Sequence, residues 1–238
     1  MWSLLKEKNI LNSHLYTALR YLYYFLTTNV LFLLANALFF VVFFSVPLLV
    51  ENVFIYSLAL IPTGPALAAL FFSMGILVRQ KSLAPVKDFF RGYKDNLKVS
   101  LIFWVIQLTL SVIVLVDAFY FYTRGSVRVA VIFAIAFILL TIFSIIGFTM
   151  LAVFEITVAN IYRSAVVIIW RYFKKQLGNL LTIIAFVVIF YAFPSEMFLF
   201  FFSIIAFYIM RSNQKIFTDL KSQFSQTNDS YERGTQND

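Results

Sequence analysis

Residues 99–154 read VSLIFWVIQLTLSVIVLVDAFYFYTRGSVRVAVIFAIAFILLTIFSIIGFTMLAVF, and their only charged members are Asp117, Arg124 and Arg128. A membrane-spanning helix needs about 20 mainly apolar residues, because a rise of ~1.5 Å per residue must cross ~30 Å of hydrocarbon. Segments 99–122 and 127–154 each meet that requirement, and the polar run from Thr123 to Ser126 between them reads as a turn. The stretch therefore predicts two membrane helices joined as a hairpin.

The remainder of the chain has the same character. Of its 238 residues 62% are hydrophobic and 13% charged, against about 45–50% and 25% in ordinary soluble domains. A soluble fold of this length could not bury the excess, which would form apolar patches far larger than the few hundred Å² that monomers expose. Soluble enzymes, disulfide scaffolds and disordered chains are excluded. The absence of Cys and the single His, His14, remove thiolate metal sites, cysteine nucleophiles, His-based triads and multi-His metal centres. No metal and no cofactor is expected.

Further spans are read at 21–49 and 53–78. The N-terminal run continues past the signal-like Ala35-Asn36-Ala37 and is twice the length of a signal h-region, so it reads as a retained span. Residues 179–210 would make one helix of about 48 Å, too long for a bilayer, and Pro194-Ser195-Glu196 divides them into 179–193 and 197–210. Charge supports that division. With six spans, 17 of the 19 Lys and Arg lie on one side, and only Arg124 and Arg128 on the other. This positive-inside asymmetry places both termini in the cytoplasm. The expected fold is an all-α polytopic bundle of about six transmembrane helices over 1–211, with a polar cytoplasmic tail at 212–238.

Between the second and third spans, Val86, Phe89, Phe90, Tyr93 and Leu97 recur at helical spacing, with Lys87, Arg91, Lys94 and Lys98 on the rest of the wheel. That pattern predicts a basic amphipathic helix lying in the headgroup plane, its four cations contacting anionic lipids. Phe90-Arg91 and Asn96-Leu97 reappear 83 residues later as Phe173-Lys174 and Asn179-Leu180. Either the chain contains three repeated hairpins, each with a basic aromatic lead-in, or such segments share only a juxtamembrane composition. The net charge of +8 accompanies no nucleic-acid-binding motif, so lipid is the expected anionic partner and nucleic acid is not.

Candidate functional residues are few. Pro62, Thr63, Gly64 and Pro65 interrupt the second span; they give either a structural kink or a helix N-terminus whose free N–H groups could meet a ligand. Asp117 and Glu155 are the carboxylates that a transport path could use, unless each sits at an interface. No catalytic residue set is apparent, and the chain reads as non-enzymatic.

The run from Pro62 to Leu70, then Val78-Arg79, then Lys87-Asp88-Phe89-Phe90-Arg91-Gly92-Tyr93-Lys94-Asp95-Asn96, resembles the YesL-like family of bacterial integral membrane proteins, as does Asn29-Val30-Leu31-Phe32-Leu33-Leu34. The stretch between Asn29 and Gly64 is longer than that family's connection. The resemblance implies a location in the bacterial cell membrane and an accessory role in carbohydrate uptake or utilisation or in the cell envelope, beside a sugar permease or another membrane protein. It implies no catalytic residues. The alternative is a small secondary transporter using the broken second span.

Overall fold

The computed structural model describes residues 2–235, with side chains described over 15–194 and 197–220. His14 and Glu196 are thus outside the described side chains. The elements are α1 (Trp2–Ala35), α2 (Ala37–Ser45), a 3-10 turn (Val50–Asn52), α3 (Val53–Ala59), α4 (Thr63–Gln80), α5 (Pro85–Thr123), α6 (Val127–Leu151), α7 (Val158–Ala192), α8 (Pro194–Phe198) and α9 (Phe201–Thr235). No strand occurs among the described residues.

Helix α4 is the centre of the bundle. It is apolar on all sides, and such a helix belongs in an interior. From Gly64 to Val78 nearly every side chain is buried, and α1, α5, α6 and α9 pack around it. The outer helices bury one face each. On α1 that face is Tyr24, Thr28, Asn29 and Phe32, and Asn36 just beyond the helix continues it. On α5 it is Pro85, Asp88, Phe89, Gly92, Ser100, Phe103 and Gln107. Their opposite faces carry exposed Ile, Leu, Val and Phe, for example Ile113, Leu115 and Phe119 on α5 and Ile132, Ile135 and Ile138 on α6. An aqueous surface would not tolerate such continuous apolar cover; hydrocarbon would.

Among the described residues, four helices are long and apolar enough to cross a membrane: the 15–35 part of α1, then α5, α6 and α7. A fifth span exists if α3 and α4, bent by 53°, act as one broken crossing. Length and composition thus pick out fewer single helices than the six spans expected. The return segment is divided: α8 is five residues long, and α9 contributes nine apolar residues and Ser203 before Arg211. Taken together, residues 194–210 reach about 25 Å, near the hydrocarbon thickness, although neither piece spans alone.

Four other boundaries move. The expected 21–49 span is two helices, broken at Asn36 and ended before Pro47. The amphipathic segment at 85–98 is no separate helix in the headgroup plane: it is the first part of α5, continuous with the span that follows. Glycine explains the difference. Gly92 lets Phe72 of α4 approach so closely that a Cβ there would overlap the ring, so the first part of α5 stays against α4. Residues 155–178, expected as a loop, are mostly helical and enter α7, which leaves helical geometry once, at Tyr172 (φ −124°, ψ 32°). Helix α9 runs on through the polar segment as far as Thr235. Three long helices (34, 39 and 35 residues) carry basic residues before their apolar runs, and α5–α6 and α7–α9 turn back on themselves, as a hairpin repeat would.

Candidate functional site

The broken second span is joined to its neighbours by two polar contacts. Thr63, the first residue of α4, donates its hydroxyl to Asn36 Oδ1 at 2.5 Å. Asn36 in turn donates to the Phe32 carbonyl at 2.8 Å. At the end of α3, the Leu60 carbonyl accepts from Trp104 Nε1 of α5 at 2.7 Å. Gly64 is required by the same tryptophan, because a Cβ at that position would fall on the Trp104 side chain.

The N-terminus of α4 offers no open anion cradle. Thr63 N–H donates to Leu60 O, Gly64 N–H to Ile61 O and Ala66 N–H to Pro62 O, while Pro65 has no donor. The sequence PTGP thus ends one helix and starts another with its amides already used. Gly64 and Pro65 are buried, and Pro62 and Thr63 are half-buried.

Beside the break lies a cavity of about 520 Å³, walled by α3 to α7 and α9. Leu67, Phe71, Leu108, Val112, Phe148 and Ile205 typify its lining. Three hydroxyls in the wall are turned to their own helices: Ser57 donates to Val53 O, Thr141 to Phe137 O and Ser144 to Leu140 O. The chamber solvates hydrocarbon better than it solvates a sugar.

Neither candidate carboxylate lines this cavity. Asp117 is half-buried near the Thr123 end of α5, and Glu155 is exposed in the link between α6 and α7. They lie towards opposite ends of the α5–α6 hairpin and share no site. Lys87, Lys94 and Lys98 are exposed on the first turns of α5. Arg91 is engaged within the protein: its Nη2 is 3.1 Å from Asp88 Oδ1, and its guanidinium stands over the Phe72 ring at 5.2 Å. Asp88 also accepts from the Ala84 amide at 2.9 Å, closing the start of α5.

The polar residues that organise the bundle are uncharged, and a search restricted to ionisable groups passes over them. Asn29, fully buried on α1, accepts from the Phe202 amide at 3.0 Å and the Ser203 amide at 3.2 Å, and donates to Phe198 O at 3.0 Å. It therefore caps α9 from another helix. Gln107 on α5 donates to Leu140 O at 3.0 Å and Ser144 Oγ at 2.9 Å on α6, and accepts from Tyr162 of α7 at 3.3 Å. An isolated amide within an apolar run is the signal that would have found both.

These features define an all-helical, multi-pass membrane protein whose buried polar groups serve as helix joints. A family model described as protein of unknown function, DUF624, matches residues 25–118, from the middle of α1 through most of α5. No curated protein and no solved structure matches the chain.

Proposed function

We propose that this is a YesL-like protein of the bacterial cell membrane, non-enzymatic, with both termini cytoplasmic, acting as an accessory component beside a sugar permease or a cell-envelope assembly. The observation that carries this reading is the use of the broken span: its hydroxyl, amides and carbonyl are all consumed by Asn36, Trp104 and the backbone. A break whose polar groups are all spent on neighbouring helices acts as a joint. The match over 25–118 supports the family assignment, and the carbohydrate or envelope link rests on the resemblance alone. Purification of the tagged full-length protein from native membranes after mild crosslinking tests the role. Recovery of a permease or envelope component supports it, and recovery of neither overturns it.

The cavity favours a second reading, a small secondary transporter, because it adjoins the break. Its apolar wall argues against sugars as cargo. Liposomes containing the protein and loaded with candidate sugars or anions decide between the two; flux above that of empty liposomes selects the transporter.

A further inference from the structure

At the end of the bundle where α7 and α9 carry their basic residues, three cationic side chains from two helices line one shallow basin of about 500 Å³: Lys175 of α7, and Arg211 and Lys215 of α9. Ser212, Gln214 and Thr218 add polar groups to its wall, and Asp219 is its one carboxylate. Beneath it lies a buried carboxamide cluster. Asn179 Nδ2 donates to Gln176 Oε1 at 3.0 Å and to Asn213 Oδ1 at 3.1 Å, and Gln176 Nε2 donates to Asn213 Oδ1 at 3.3 Å. Lys175 neighbours Gln176 in sequence, and Arg211 and Lys215 flank Asn213 at two residues on either side. The cluster therefore fixes the register of α7 against α9 at the level of the three cations. Asn213 Nδ2 is itself buried with no hydrogen-bond partner, an unspent donor in the same layer.

The level of the basin identifies its ligand. Arg211 is the first charged residue after the mainly apolar first ten residues of α9, so the cations stand where hydrocarbon gives way to headgroups. Trp170, 90% exposed, lies less than two turns before Lys175 on α7, and exposed tryptophans mark that same boundary. Cations gathered at this depth meet lipid phosphate. We propose that the basin formed by Lys175, Arg211 and Lys215 binds the phosphodiester headgroup of an anionic phospholipid.

Native mass spectrometry of the full-length protein in detergent, titrated with phosphatidylglycerol or with phosphatidylcholine of the same chains, tests this. Each basic residue beside an anionic leaflet contributes about fivefold to binding. Three of them, offset by one carboxylate, give an expected preference for phosphatidylglycerol of roughly 30-fold. The triple variant Lys175→Gln, Arg211→Gln, Lys215→Gln should lose that preference, whereas the double variant Arg124→Gln, Arg128→Gln, exposed at the far end of the bundle, should keep it. The single variant Lys215→Gln, at an exposed position, should lose about fivefold and covers the case in which the triple variant does not fold. Retention of the preference in the triple variant and in Lys215→Gln would overturn the proposal. So would its loss in the double variant, or displacement of the lipid by inorganic phosphate at equal concentration.

Discussion

Replacing Asn29 with alanine removes a helix cap that a different helix supplies. The first N–H groups of any α-helix lack partners within that helix. In α9 the Phe202 and Ser203 amides find theirs in Asn29 Oδ1, and the Phe198 carbonyl before the helix takes Asn29 Nδ2. Asn29 is 0% exposed, so water cannot replace the lost partner without opening the packing between α1 and α9. An ordinary N-cap lost to alanine costs ~1 kcal/mol, whereas each buried backbone group left unpaired costs ~1–3 kcal/mol. Three groups at the low end give a destabilisation of about 3 kcal/mol. For a chain of this size that corresponds to a Tm lowered by about 6–12 °C, read as loss of the far-UV circular dichroism signal in one detergent at one scan rate. Asn29→Asp, which keeps the acceptor and loses the donor, is expected to fall between. The nearby Val30→Ala, at a partly exposed apolar position, serves as the control. A drop for Asn29→Ala no larger than that for Val30→Ala would refute the capping role.

The remaining expectations use other joints. Gly64→Ala should destabilise the parent strongly, since the new Cβ meets the Trp104 Cβ and ring, but much less in a Trp104→Gly background, which removes both; equal losses in both backgrounds would show that the close approach is not the cause. Gln107→Leu removes the α5–α6–α7 amide bridge while filling its space. Interhelical hydrogen bonds in membranes average ~0.6 kcal/mol, so the Tm should fall by only a few degrees, and a collapse of the fold would contradict that value. A reporter at the C-terminus should be cytoplasmic, and one inserted after Gly125, whose surroundings are open, should be on the other side. Both reporters on one side would contradict the charge-sorted topology.

How much of this was legible beforehand varies with the type of signal. Period and length announced α5 and α6, because an unbroken apolar run of that size admits one solution in hydrocarbon. Proline announced the turn after Ala192 and the break before α4. What the pattern misjudged was depth and continuity. Residues 85–98 have the amphipathic wheel of an interfacial helix, yet the face that would have entered lipid packs partly on α4, because Phe89 and Gly92 find a protein partner there. Two-sided competition between lipid and protein for one apolar face is invisible in a wheel. The polar side chains followed the same division. Asp117 and Glu155 drew attention because a charge in hydrocarbon is costly, but they lie away from the cavity, while Asn29, Asn36 and Gln107 do the joining.

The sequence by itself determined that the chain is helical, that it lies in a membrane, and how its charges are sorted along its length. Those properties are sums over many residues, and hydrocarbon enforces them locally through the need to close every backbone hydrogen bond within a helix. Tertiary structure decided which helix is central, which spans are broken, and what the isolated amides do. Asn29 meets Phe202 across 173 residues of chain, and Thr63 meets Asn36 across 27. A hydrogen bond between distant positions depends on the angles and depths of two packed helices, and those are set only when α4 has been enclosed.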